Sequence, residues 1–269
     1  MSLATTRWAF GGITLQNGRA WNVRLLSPSE ALSRRGENLV VPGISGQAHV
    51  TKDLEQRQLT LALVVTGESR PGQAPSGQAL AANLDTLLAL FGASGLQALT
   101  RMRGLRAETA QAECVNLNVV PRGPVHADLI VDLWLPDPLW YAATAISAST
   151  PFSSVPANLA LTNPGTAPNE KAVITVACPA ATTLTNPQFT IGATWVKFTG
   201  VVAASTSLVI DVEAFSAVNG GSSAIQAITW SAAQSRWLLV PVGASTLVLS
   251  ADGISNTPTL TVAFSAAYV

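Results

Sequence analysis

Apolar and polar residues alternate with the period of a strand along much of the first half of this 269-residue chain. Leu59, Leu61 and Leu63 share one face of a strand predicted over residues 58–66, with Thr60, Ala62 and Val64 on the other. Leu129, Val131, Leu133 and Leu135 alternate in the same way with Asp128, Ile130, Asp132 and Trp134 over residues 127–135. Further strands are predicted over 13–16, 19–26, 49–51, 96–103 and 114–120. Asn17-Gly18 lies between the first two of these and reads as a hairpin turn, because both central residues of a type I′ turn need positive φ. Residues 67–77 carry Pro71, Gly72 and Pro75 and predict a flexible loop. The period then changes. Leu80, Leu84, Leu87, Leu88 and Phe91 recur at helical spacing, with Ser76 as N-cap and Gly92 as stop, which predicts one helix over about 78–91. Its leucine stripe is expected to plug a sheet. The first half therefore predicts a β-barrel or sandwich with a single helix.

Beyond Tyr141 no helical spacing is found. Short β-rich segments at 172–176, 188–191, 194–199, 207–212, 224–230, 237–240, 246–250 and 259–264 are separated by Gly, Asn, Pro and Ser, a pattern that predicts a jelly-roll β-sandwich. Asn219-Gly220 marks one hairpin. Charge changes at the same place, since 23 of the 30 charged residues precede Tyr141. Residues 142–158, rich in Ala, Ser, Thr and Pro, read as a linker. A boundary near residue 145 gives domains 1–144 and 145–269.

Only 11 % of the residues are charged, against about 25 % in a typical soluble chain, so much of the surface is expected to meet other protein. Fifteen basic residues balance fifteen acidic ones without a cluster, which argues against nucleic acid as the main partner. No run reaches the roughly 18 apolar residues of a membrane span, and residues 1–12 have no secretory apolar core, so synthesis and folding in cytoplasm are expected. Cys114 and Cys178 fall in different predicted domains. They read as small buried apolar residues rather than as a disulfide or a metal site.

Candidate chemistry is sparse. Histidine occurs only at His49 and His126, and residues 43–47 approach a nucleophile elbow without its closing glycine or its helix. His126 stands two residues from Asp128, which on a strand does not by itself make an acid–base pair. Asp128, Asp132 and Asp137 are close enough in sequence to raise glycoside hydrolysis, but read as polar positions of one strand and its terminal turn. Arg101, Arg103 and Arg106 are opposite in sign and could pair across a sheet or a subunit contact. Trp195, Trp230 and Trp237 could form a sugar-stacking platform or belong to a sandwich core. No catalytic, cofactor or metal site emerges, and an enzyme is not expected.

Several short patterns, taken in order, resemble a known family. Gly46 is followed by Arg57, by Gln58-Leu59-Thr60-Leu61-Ala62-Leu63-Val64-Val65-Thr66-Gly67, by a loop and one helix, and by a strand running into Leu135-Pro136-Asp137-Pro138-Leu139-Trp140-Tyr141. Then come Leu161-Thr162-Asn163-Pro164-Gly165-Thr166, Leu208-Val209-Ile210-Asp211 and Trp237-Leu238-Leu239-Val240-Pro241-Val242-Gly243, and the chain ends near Tyr268. This order is similar to that of the distal tail proteins (Dit) of long non-contractile tailed phages, with Pro136, Asp137, Pro138 and Tyr141 as the inter-domain motif. Val242 between Pro241 and Gly243, and Ala244-Ser245 where an Asn is usual, depart from the pattern.

The resemblance implies a split-barrel first domain, and a second domain of galectin-like sandwich type. It implies a homo-hexameric ring at the virion tail tip that joins the tail tube protein to tail-tip hub, tail fibre or receptor-binding proteins, without cofactor, metal, nucleic acid or membrane insertion. Arg101, Arg103, Asp128 and Asp132 are then candidate inter-subunit contacts, and the loop at 67–77 a candidate contact element. The competing expectation is a carbohydrate-binding tail adhesin that recognises a host cell-surface glycan through Trp195, Trp230 or Trp237.

Overall fold

The structure, a computed structural model, describes residues 7–25, 34–35, 53–68, 74–231 and 237–269. The expected strand at 49–51 and the elbow-like segment 43–47 lie outside them, as do residues 69–73 of the predicted loop. The chain divides into two compact units, Met1–Trp140 with Val269, and Tyr141–Tyr268.

The first unit contains β1 (Trp8–Phe10), β2 (Ile13–Thr14), β3 (Trp21–Leu25), β4 (Arg57–Thr66), α1 (Gly77–Phe91), β5 (Gln97–Arg103), β6 (Arg106–Gly123) and β7 (His126–Leu135). Their antiparallel order is β2-β1-β5-β6-β7-β4-β3. The two strongest alternations of the sequence pair with each other, from Arg57 opposite Leu135 to Thr66 opposite His126. That register sets Leu59 against Leu133, Leu61 against Val131, Leu63 against Leu129 and Val65 against Ala127. All eight are buried. Burial of one such leucine contributes about 2 kcal/mol, so this ladder is the main apolar investment of the unit.

Helix α1 covers apolar residues of this unit with Leu80, Leu87 and Phe91, and Phe91 stacks on Phe10 with ring centroids 5.0 Å apart. Ser76 caps it as expected, its Oγ accepting the Ala79 N–H at 3.1 Å. Gly92 stops the helix without the left-handed conformation: its φ is −78°, and its N–H donates to the Leu88 carbonyl at 2.8 Å. A Cβ there would stand 2.7 Å from the Leu88 oxygen, which is why the position is glycine.

Two expectations are corrected here. The segments on either side of Asn17-Gly18 do not pair: β2 folds back on β1 through Gly11-Gly12, whose φ values are 53° and 82°, while β3 pairs with β4. Asn17 instead accepts the N–H groups of Arg19 and Trp21 on its Oδ1, redirecting the chain rather than closing a hairpin. The strand expected at 114–120 is the middle of the 18-residue β6, which pairs with β5 through residues 106–112 and with β7 through 113–123. Between Cys114 and Asn116 the register shifts by one, leaving Val115 as an extra residue, half-exposed. Such a bulge bends a strand, so β6 serves both ladders.

In the second unit, residues 142–151, expected as linker, belong to strand β8 (Trp140–Pro151). The strands that follow are β9 (Ala157–Asn163), β10 (Val173–Cys178), β11 (Thr183–Thr185), β12 (Gln188–Ile191), β13 (Thr194–Phe198), β14 (Val201–Val202), β15 (Thr206–Asp211), β16 (Ser216–Asn219), β17 (Ser222–Ser223), β18 (Ile228–Trp230), β19 (Gly243–Ser250), β20 (Gly253–Ser255) and β21 (Thr259–Tyr268). One sheet runs β17-β16-β15-β10-β21 and a second β9-β19-β12-β13-β18. A short ladder, β14-β11-β20, stands beside them. Ile174, Val176, Leu208, Ile210 and Val262 from the first sheet meet Leu159, Leu161, Phe189, Val196 and Leu249 from the second in one core.

The Asn219-Gly220 hairpin is present as the turn between β16 and β17, with Gly220 and Gly221 at φ 58° and 84°. Residues 224–230 split into a 3-10 turn, Ile225–Ala227, and the three-residue β18. Residues 237–240 contribute only a bridge from Val240 to Asn169.

The Asn163-Pro164-Gly165 segment is a structural clamp. Buried Asn163 donates from Nδ2 to the Ala167 carbonyl at 3.0 Å and accepts the Gly165 N–H at 2.9 Å. The N–H groups of Thr166 and Ala167 both reach the Ala267 carbonyl on β21. Asn169 continues the tie, donating to the Ser265 carbonyl and accepting the Lys171 N–H at 2.7 Å. A Cβ on Gly165 would lie 2.1 Å from the Ala267 oxygen, so no side chain fits without moving β21. Gly165→Ala is expected to destabilise the second unit by about 3 kcal/mol, measured by urea unfolding followed through tryptophan emission.

Candidate functional site

The exit from β7 is built residue by residue. Asp137 Oδ1 accepts the Leu139 N–H at 3.0 Å, closing an Asx turn between Pro136 and Pro138, which have no N–H to offer a ladder. Trp140 is then buried, edge-on to Trp8 at 5.8 Å and with the Arg101 guanidinium 4.1 Å from its ring centroid. Tyr141, the next residue, is half-buried in the second unit with the Lys171 ammonium 4.4 Å from its ring, and Lys171 pairs with Glu213 at 2.7 Å. The motif therefore fixes one aromatic ring in each unit on consecutive residues.

Arg101 is held by charge as well. It stands directly opposite Glu108 across β5 and β6, and its Nε donates to Glu108 Oε2 at 2.7 Å with both side chains essentially inaccessible. Arg106 Nε donates to the other carboxylate oxygen at 2.6 Å. One buried carboxylate thus holds two guanidiniums, one of which lies over Trp140. Removing it would leave Arg101 charged and buried. Glu108→Ala is expected to cost about 3–5 kcal/mol in chemical denaturation of the first unit, more than Arg106→Ala, whose side chain is 40 % exposed.

The four charged residues considered for subunit contacts are not brought together. Arg101 and Arg103 lie on β5, Asp128 and Asp132 on β7, with β6 between them. Arg101 is buried inside its own chain and is removed from the contact set. Asp128 accepts from Arg122 Nε at 2.8 Å, and His126, two residues before it, is exposed. Asp132 accepts from Thr60 Oγ1 at 2.6 Å and Asn116 Nδ2 at 2.9 Å, tying β4, β6 and β7 on the face opposite the leucines. The Thr60 and then the Asn116 hydrogen bond hold its carboxyl below the ordinary carboxylate range, against a weaker opposing effect of burial. Arg103 alone of the four is exposed with no such tie described, beside the Gly104-Leu105 turn. A carboxyl depressed by folding stabilises the protein above its unfolded value and loses that contribution as pH falls through the folded one. The wild type is therefore expected to be more stable than Asp132→Asn near neutral pH, and to lose that advantage as pH falls through and below the ordinary aspartate range, followed by thermal unfolding across pH.

The three tryptophans do not form one platform. Trp195 lies on the face of β13 opposite Val196 and Phe198, which point into the core, whereas Trp230 is paired with Val196 and shares the core-side face. Trp237 is 1 % exposed and is core. The aromatic partner that sequence reasoning missed is Phe215, whose ring meets Trp237 edge-on at 5.4 Å, while Trp230 meets the same indole at 5.8 Å. No periodicity marks Phe215, because it sits in the turn between β15 and β16.

The cysteines differ. Cys178 is buried, as expected, but Cys114 is only half-buried at the bulge, where its Sγ donates to the Asn116 carbonyl at 3.4 Å. Burial raises both thiols above their ordinary value. Among the described residues no group of His, Cys, Asp and Glu is arranged to hold a metal, and no helix is long and apolar enough to cross a membrane.

No protein-family model and no curated protein matches the sequence. A solved structure does match in shape: the Dit protein of phage SPP1, described as a paradigm of the hub adsorption apparatus in phages infecting Gram-positive hosts. It superposes with a TM-score of 0.65 over 97 % of this chain and 98 % of its own, at 16 % identity. The chain has the Dit fold. Structures of the phage P2 baseplate in its activated conformation, with calcium and with strontium, align over 96 % of the chain with TM-scores of 0.46 and 0.45, at 9 % and 10 % identity. In this example of the Dit fold, the exit motif and the Asn163 clamp, the two segments that carry the sequence resemblance most visibly, are both turns with structural hydrogen bonds.

Proposed function

We propose that this chain is a phage distal tail protein, a structural component of the tail tip. In this reading residues 1–144 form a split barrel, six copies of which close into a ring around a channel. Residues 145–269 form an outward galectin-like sandwich that offers a docking surface. The ring joins the tail tube to tail-tip hub, fibre or receptor-binding proteins after synthesis in the host cytoplasm. The observation that carries the reading is the superposition on SPP1 Dit along essentially the full length of both chains. The scarcity of charge supports it.

The first unit also offers a contact of the required kind. Leu105 is fully exposed at the tip of the β5–β6 hairpin, between Arg103 and Arg106, where a turn ordinarily carries a small or polar residue. A ring needs a heterologous contact, in which one patch of each copy meets a different patch of the next, and an apolar tip flanked by cations can serve as one half. Light scattering over a wide concentration range is expected to show six chains, or a monomer–hexamer equilibrium, with ring-shaped particles in negative-stain micrographs. Leu105→Asp with Arg103→Glu is expected to shift that equilibrium at least tenfold toward monomer. A wild-type monomer at all concentrations that also fails to bind tail tube protein would reject the proposal.

A further inference from the structure

Asn-Gly occurs twice in the chain, at Asn17-Gly18 and Asn219-Gly220, and the proposed ring uses neither. The dipeptide carries latent chemistry of its own. Glycine has no side chain to keep its backbone nitrogen away from the preceding carboxamide, so that nitrogen can attack the asparagine Cγ and close a succinimide ring. Whether it does so in a folded chain depends on how the fold treats the Oδ1 on which negative charge develops, the Nδ2 that leaves and the glycine nitrogen that attacks. The two steps differ at all of these atoms.

Asn17 and Gly18 are both exposed, in a turn outside any strand. Asn17 Oδ1 accepts the Arg19 N–H at 3.0 Å and the Trp21 N–H at 3.1 Å. Two backbone donors at that distance from a carbonyl oxygen are the arrangement that stabilises an oxyanion. They are held from behind, because the Asn17 N–H donates to the Trp21 carbonyl at 3.2 Å, and Thr66 donates from its N–H to the Ala20 carbonyl and from Oγ1 to the Arg19 carbonyl. Gly18 has φ 77° with open space where a Cβ would stand, and its N–H donates to a side chain, Asn22 Oδ1, at 3.1 Å. No described residue accepts from Asn17 Nδ2. At Asn219 the arrangement is reversed: Nδ2 donates to the Val201 carbonyl at 3.1 Å, Oδ1 is buried without a hydrogen-bond partner among the described residues, and the Gly220 N–H is committed to the Ser207 carbonyl at 3.0 Å. An oxyanion formed there would be buried with no donor to hold it.

We propose that Asn17 is a self-modification site, converted in the folded chain to aspartate and isoaspartate through a succinimide, and that Asn219 is held against the same reaction. The Gly18 nitrogen gives its proton to water and forms a bond to Asn17 Cγ, while the N–H groups of Arg19 and Trp21 hold the oxyanion on Oδ1. The Cγ–Nδ2 bond then breaks, and Nδ2 takes up a proton from water and leaves as ammonia. A further water opens the ring at either of its carbonyls. Asparagine and water thus give a carboxylic acid and ammonia, with no oxidant or reductant required, and the chain, neutral by formal charge, becomes acidic. The two products differ in structure. Aspartate keeps an oxygen in the place of Oδ1 and accepts the same two N–H groups, so the turn survives. Isoaspartate routes the main chain through Cβ and Cγ, and the added methylene displaces the turn that leads into β3. The reaction requires only the folded first unit and does not depend on ring formation.

The test incubates the full chain in mildly alkaline buffer at physiological temperature, folded and, in parallel, unfolded in guanidinium chloride. Peptides containing residues 17 and 219 are then quantified by mass spectrometry, and isoaspartate by an isoaspartate-specific methyltransferase. Tryptophan emission verifies that the first sample stays folded. In the unfolded chain both steps are expected to convert at similar rates. In the folded chain Asn17 is expected to convert at least as fast as in the unfolded one, and Asn219 at least tenfold more slowly than in the unfolded one. Asn17→Asp, which reproduces one product, is expected to co-elute on ion exchange with an acidic species that accumulates in the aged wild type, and to unfold with the fresh wild type. Asn17 converting more slowly folded than unfolded, or Asn219 keeping pace with Asn17 in the folded chain, overturns the proposal.

Discussion

The register between β4 and β7 is the constraint on which the first unit rests. Ten consecutive pairs place every leucine of one strand against an apolar residue of the other, on the side that burial covers. A slip of β4 by one residue would turn its leucines to water and bring Thr60 and Val64 inside, so the register is specified by the pattern itself. The polar ladder on the reverse face agrees with it, since Asp132 can accept from Thr60 and Asn116 together only in this alignment. Helix α1 adds to the same core, and the bulge at Val115 lets β6 leave this ladder and continue on β5, carrying Glu108 to Arg101. The environment of Trp140 thus follows from a pairing made far away in sequence.

Strands with strict alternation and the one helix were legible because each is a local pattern with its own period. The β4 and β7 segments, and the helix with its Ser76 cap, could be read from the residues alone. Turns were less legible, because glycine and asparagine announce that the chain bends without saying which strands the bend joins. Asn17-Gly18 has the letters of a hairpin, yet the two-residue hairpin of that region is Gly11-Gly12, and the pairing of β3 with β4 spans a separation no local pattern encodes. The Ala-, Ser- and Thr-rich stretch at 142–151 read as linker for a similar reason: small polar residues leave a strand's periodicity faint, and its extended conformation is evident only in the folded chain.

The candidate sites show the same division. Charge and residue type drew attention to Arg101 and Trp237, but both are buried, one over an indole and against a carboxylate, the other in the sandwich core. In a chain with few charges, those that remain are largely engaged in holding turns and strands: Glu108 on two arginines, Asp137 on the exit turn, Asp132 across three strands. What such a chain leaves exposed is therefore informative in an inverted sense. Leu105 and Phe215 are apolar residues at turns, where nothing in the periodicity asks for them, and neither could have been singled out before burial was known.

The two exposed features make different demands. A hairpin tip such as Leu105 can be altered without disturbing the core, since its turn is set by Gly104 and by the β5–β6 ladder behind it. Phe215 is tied in at both ends: Asp211 fixes the turn and Trp237 packs against the ring, so its orientation is set by the fold. The geometry thus separates the two: an apolar tip in the first unit that can change without touching the core, and an aromatic ring in the second that is braced against it.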